Sequence, residues 1–117
     1  MKPGDVVLVR FPNHDGSWKY RPALVLETEE ALSREPYLCV AYGTSQKTGK
    51  NQLLSGEFLV SMEAGSTVFA VSGLREATKF SLGLRVHVLE KKARLIGCIH
   101  LNLMRAFMEA AKDVGLV

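Results

Sequence analysis

No apolar run in this sequence approaches the roughly 20 residues that span a bilayer. The N-terminal MKPGD carries charge without an apolar stretch of signal-peptide type, so neither a membrane span nor a secretory leader is expected. Cysteine is scarce. Cys39 and Cys98 each sit in an apolar, strand-like run, which reads as buried free thiols and fits a reducing cytoplasm. No CxxC pair or His–Cys cluster offers a metal site, and no cofactor is expected. Repeats, low-complexity tracts and linkers are also missing, so residues 1–117 are expected to form one domain with a real core. Charge of one sign is only modestly in excess: 15 Lys and Arg against 12 Asp and Glu leave +3. That balance permits a nucleic-acid partner without demanding one.

What is present is organised around residues 4–27, GDVVLVRFPNHDGSWKYRPALVLE. Two short apolar runs, VVLV and ALVL, are β-branched and bounded by Gly or Pro, which reads as a pair of strands. The connector from Pro12 to Tyr20 is too long for a tight turn and shows no apolar periodicity, so it is expected to be an exposed loop. His14, Asp15, Ser17, Lys19 and Arg21 fall in it or at its edge. A rigid strand pair presenting a polar loop is a common way to build a site. Pro22 biases Arg21 toward extended geometry, so its guanidinium is expected to project from a strand entrance.

Further along, strands are expected over Asp5 to Phe11, Pro22 to Glu27 and Tyr37 to Tyr42, with Thr28 to Glu35 a loop or short helical turn. Leu53 to Val60 is a weaker strand signal, Ser66 to Val71 reads as a strand, and Ser72 to Ser81 as irregular. Leu84 to Leu89 alternates apolar and polar residues, as a half-exposed strand does. Ala93 to Ile99 is the last strand. The tail then changes period. Asn102, Arg105, Glu109, Lys112 and Asp113 mark a polar helix stripe, and Leu101, Met104, Phe107, Met108, Ala111 and Val114 the opposite face, with Gly115 as the stop. The plan is a mainly β chain: a small, strongly bent barrel with a C-terminal helix packed on it.

The cations Lys19, Arg21, Lys47, Lys50, Arg75 and Lys79 lie in expected loops or strand ends. A basic ring on loops is a nucleic-acid signal, although solvated surface lysines look the same. Trp18 and Tyr20 flank Lys19, an arrangement suited to stacking on unpaired bases or, alternatively, to a packed barrel lid.

Gly4-Asp5-Val6-Val7, Arg21-Pro22-Ala23, Thr44-Ser45 after the third strand, Thr78-Lys79-Phe80 and Arg94-Leu95-Ile96-Gly97 together resemble the MazF/PemK/Kid-like toxins of bacterial toxin–antitoxin pairs. The resemblance implies an SH3-like small β-barrel of the MazF/PemK/CcdB type with a C-terminal helix. It implies metal-independent, sequence-selective cleavage of single-stranded RNA. It also implies a cytoplasmic homodimer whose groove takes RNA or the acidic C-terminal segment of an antitoxin. Arg21 and Thr44 stand where the family carries catalytic residues.

Metal-free RNA cleavage needs a base for the 2′-OH, an acid for the departing 5′ oxygen and a cation for the phosphorane. Arg21 suits the cation role, since its planar fork matches phosphate oxygens in pairs; a structural salt bridge is the alternative. Thr44 can donate its hydroxyl to phosphate or simply cap the strand end, and Ser45 is a weaker substitute. His14 is the candidate acid or base, with Asp15 to orient it, unless it is an ordinary loop histidine. Ser17, Trp18, Lys19, Tyr20, Ser45, Lys47, Arg75 and Lys79 are the expected RNA contacts. A non-catalytic RNA- or protein-binding module on the same barrel is the rival reading.

Overall fold

The computed structural model describes residues 1–29 and 35–117. Among them, strands β1 (Asp5–Pro12), β2 (Trp18–Glu29), β3 (Tyr37–Thr44), β4 (Glu57–Val60), β5 (Thr78–Leu89) and β6 (Arg94–Cys98) form one antiparallel sheet in the order β4-β5-β3-β2-β1-β6. Helix α1 (Ser66–Ser72) joins β4 to β5, and helix α2 (Met104–Asp113) follows β6. The expected mainly β chain with a C-terminal helix is what the structure has. The sheet is curled. Irregularities between Val6 and Val7, between Val25 and Glu27, and between Ala41 and Tyr42 interrupt its ladders, and such bulges bend a strand and raise its twist.

Both faces of the curled sheet are buried. Val6, Leu24, Ala41, Phe80 and Leu82 pack on one side with Leu103, Ala110 and Ala111. Val7, Val9, Ala23, Val25, Leu38 and Val40 make a second core. Successive strand residues point to opposite faces, so burial on both sides is why VVLV and ALVL are unbroken apolar runs. Helix α2 ends in a Schellman pattern: the Leu116 amide donates to the Ala111 carbonyl at 2.9 Å and the Gly115 amide to Lys112 at 3.1 Å. The polar stripe of α2 is exposed as expected. Of the opposite face, Leu101, Met104 and Met108 also stay exposed, because Leu103, Ala110 and Ala111 are the residues turned to the core.

Four expectations change. The connector from Pro12 to Tyr20 is not all loop. β1 and β2 continue as a hairpin arm through the pairs Arg10–Tyr20, Phe11–Lys19 and Pro12–Trp18, leaving only residues 13–17 at the tip. Trp and Tyr favour strand, and their cross-strand contacts extend the arm. Ser66 to Val71 is helix α1, not a strand. Val68 and Ser72, four apart, are its buried residues, and Gly73 caps it in left-handed geometry (φ 72). A short run such as STVFAV fits either element, and the left-handed Gly73 closes it as a helix end. β5 begins at Thr78, inside the stretch read as irregular. Thr28 and Glu29 belong to β2; of the rest of the expected turn, residues 30–34 lie outside the described residues, and Glu35 is an exposed residue paired with Lys91. Cys39 and Cys98 are free thiols. Among the described residues no helix is long and apolar enough to cross a membrane.

Candidate active site and nucleic-acid interface

A cleft of about 560 Å³ opens where β2 begins and β3 ends. β2 contributes Lys19, Tyr20 and Arg21; the end of β3 contributes Thr44, followed by Ser45 and Gln46. The α1–β5 connection adds Arg75 and Glu76, and β6 adds Arg94. Close backbone packing fixes these walls. A Cβ on Gly43 would stand 2.8 Å from the Phe80 ring and 3.0 Å from the Pro22 carbonyl oxygen, so β2, β3 and β5 meet beneath Arg21 and Thr44 without a side chain between them. On the far wall a Cβ on Gly97 would collide with the Val71 and Ser72 backbone. That contact seats the end of α1 on β6, and Arg75, Glu76 and Arg94 line the cleft together.

Arg21 is half-buried and belongs to none of the ion pairs among the described residues. A structural salt bridge therefore does not account for it. Its Nη2 donates one long hydrogen bond, 3.5 Å, to Asn13 Oδ1. Burial pushes the Tyr42 hydroxyl pKa up while the Arg21 charge opposes the rise, so the field of the guanidinium reaches into the strand wall. Thr44 Oγ1 accepts the Gln46 amide at 3.2 Å. A hydroxyl has one donor and two lone pairs, so the Thr44 O–H is left to donate into the cleft. Four cations and one carboxylate line this space, an arrangement that favours an anion.

The cleft thus gathers Arg21, Thr44, Ser45, Lys19, Tyr20 and Arg75, and leaves five expected residues elsewhere. His14 is exposed at the hairpin tip, outside the cleft. Asp15 does not orient it, because Oδ1 of Asp15 accepts the Ser17 amide at 2.9 Å and the Ser17 hydroxyl at 2.6 Å. The Ser17 side-chain and backbone bonds hold the Asp15 carboxyl below its ordinary pKa. Ser17 is accordingly part of the tip's own hydrogen bonding. Trp18 turns to a neighbouring cleft, where the Arg10 guanidinium sits 4.8 Å from its ring centroid. Lys47 is exposed beyond the cleft in left-handed backbone geometry (φ 54). Lys79 is the clearest correction: its Nζ is buried, 3.1 Å from Glu57 Oε1 and 3.2 Å from the Gln52 carbonyl. A cation held this way is not available to a phosphate.

Glu76 was not singled out from the sequence, and Arg94 only as the first residue of the family-like RLIG motif, not as a site residue. Glu76 follows Arg75 directly, and a carboxylate beside a candidate phosphate-binding arginine was the available signal. Arg94 opens the last strand; nothing local places it in the cleft, since Leu8, its partner across the ladder, is 86 positions away in sequence.

The family model described as "PemK-like, MazF-like toxin of type II toxin-antitoxin system" matches residues 2–113. Two similar solved structures come from Mycobacterium tuberculosis. The toxin MazF-mt6 is 23% identical, with 97% of each chain covered and a TM-score of 0.64. A structure titled "Crystal structure of Mtb toxin" is 24% identical over 80% of this chain and 91% of that one, with a TM-score of 0.58. At these identities the two structures share the fold. No curated protein sequence gave a match.

Proposed function

We propose, from the premise that this chain belongs to the PemK-like, MazF-like toxins of type II toxin–antitoxin systems, that it cleaves single-stranded RNA without a metal. The observation that carries this reading is Arg21: a half-buried guanidinium with no carboxylate partner among the described residues, in one cleft with the free O–H of Thr44. In the proposed reaction the 2′ oxygen attacks the adjacent phosphorus and the bond to the 5′ oxygen breaks. Arg21 holds two non-bridging oxygens as negative charge grows on them, and Thr44 donates a third hydrogen bond. Glu76, the carboxylate of the cleft, is the proton acceptor for the 2′-OH. His14 is not assigned that task, because it stands outside the cleft. A water gives its proton to the departing 5′ oxygen and regains one from the protonated Glu76, so the proton taken from the 2′-OH is returned and the products carry a 2′,3′-cyclic phosphate and a 5′-OH.

Lys19, Tyr20, Ser45 and Arg75 hold the strand on either side. The same excess of cations suits the acidic C-terminal segment of an antitoxin, which would silence the site by occupying it. A cytoplasmic homodimer completes this reading. The position of His14 favours one rival, a barrel that binds RNA or an acidic peptide without cleaving. Mass spectrometry of RNA fragments separates them: cyclic-phosphate ends support the proposal, and intact RNA bound by folded protein supports the rival.

A further inference from the structure

We propose that a second cleft on the same hairpin arm is a stacking platform for single-stranded RNA flanking the cleaved position, an assignment that rests on the ribonuclease reading above. This cleft, of about 1050 Å³, lies between the β1–β2 arm and the turn Glu90–Lys92. It is lined by the chain's one Trp and two of its three Tyr: Trp18, Tyr20 and Tyr37. All three are exposed, at 56%, 61% and 39%, and rings of this size are ordinarily largely buried. Arg10, Lys92 and Arg94 line it too, and among the described residues no carboxylate does. Lys91 is already held by Glu35 at 2.7 Å, so the charge left for a ligand comes from the other three. Arg10 lies 4.8 Å from the Trp18 ring centroid, a preassembled cation–π pair.

Stacking faces set among cations are what an unpaired strand requires: bases lie on the rings and phosphates on the charges. A duplex offers no free base faces. An acidic peptide would satisfy the cations but leave three aromatic faces in water. Tyr20 and Arg94 line this cleft and the Arg21–Thr44 cleft alike, so the two share a wall. A strand leaving the first cleft meets the second at once.

The test uses fluorescein-labelled, mixed-sequence single-stranded RNA of about 16 nucleotides, and a shorter oligonucleotide sized for the first cleft alone. Binding is read by anisotropy across a salt series, in chains that also carry Arg21→Ala so that the probe stays intact. Trp18→Ala is expected to weaken binding of the long RNA at least about five-fold and to erase most of its advantage over the short one, with Trp18→Phe restoring it. Lys92→Ala is expected to lower the salt slope by about 0.7. Unchanged affinity and slope, with the Arg21-competent chain still cleaving RNA, would overturn the platform and leave the ribonuclease reading intact. If the Arg21-competent chain neither binds nor cleaves RNA, both fail. Loss of binding accompanied by a changed oligomeric mass in light scattering would also overturn the platform, since it would make the cleft a subunit contact.

Discussion

Lys79 Nζ lies 3.1 Å from Glu57 Oε1 with both side chains less than a tenth exposed, at 8% and 9%. The Ser81 hydroxyl donates to the other carboxylate oxygen at 2.7 Å, and the Leu54 amide donates to Oε1 at 2.7 Å. This is a buried, hydrogen-bonded ion pair joining β4 to β5. Removing one partner strands the other charge. Lys79→Met is expected to destabilise the fold by about 3–5 kcal/mol, measured by urea denaturation, and to lower RNA affinity only as far as it unfolds the protein. A loss of RNA binding in a variant of unchanged stability would return Lys79 to the RNA surface.

The same cluster predicts a pH dependence. Burial pushes the Glu57 pKa up, but the Ser81 hydroxyl, the Leu54 amide and Lys79 together outweigh it and hold the carboxyl below its ordinary 4.5. A carboxylate with a lowered pKa in the folded state contributes stability that is complete above the unfolded value. That contribution is lost as pH falls through the folded one. Stability is therefore expected to drop below about pH 4.5, and Glu57→Gln to drop less steeply over that window. Parallel profiles for the two proteins would show that Glu57 does not carry the acid sensitivity.

Arg21 is tied to the hairpin tip. Its Nη2 donates to Asn13 Oδ1 at 3.5 Å, Asn13 Nδ2 donates to Ser17 Oγ at 2.9 Å, and Ser17 Oγ donates to Asp15 at 2.6 Å. Asn13→Ala is expected to slow cleavage several-fold, well short of the ~100-fold that a full ångström of misplacement can cost. The link to Arg21 is a single long bond. Single-turnover kinetics at saturating RNA measure this, and an unchanged rate would leave the tip without a part in positioning Arg21.

Gly97 is the tightest point behind the cleft. Gly97→Ala would press a methyl into the Val71–Ser72 backbone, so about 1–3 kcal/mol of overpacking is expected, together with displacement of Arg75 and Glu76 from Arg94. Denaturant midpoints test the first effect. A variant as stable as the parent would mean that α1 does not seat on β6 as described.

The strands were legible because burial on both faces makes their sequences continuously apolar, as in Val6 to Val9 and Ala23 to Leu26. Arg21 and Thr44 stand out in the sequence because Pro22 follows the one and Gly43 precedes the other, but Arg21 lies inside β2, opposite Val9, and not at a strand entrance as expected. The hairpin arm was not, since Trp18, Lys19 and Tyr20 are exposed and give no alternation of burial to read. Nor was α1: seven residues hold too few turns for a helical period to emerge. Lys79 was misread because a buried cation and a solvated one are written with the same letter. Its partner Glu57 is 22 positions away in sequence, and only folding brings them together. Glu76 enters the cleft for the same reason, through the contact of Gly97 with α1.

The central claim is that Arg21 acts in metal-independent RNA cleavage. Its most direct test is a gel assay on long single-stranded RNA in EDTA, comparing the parent chain with Arg21→Ala at equal folded concentration. Discrete fragments from the parent, with the variant slowed by about 100-fold or more, are the predicted result. Equal cleavage by both proteins, or cleavage abolished by EDTA, would contradict it.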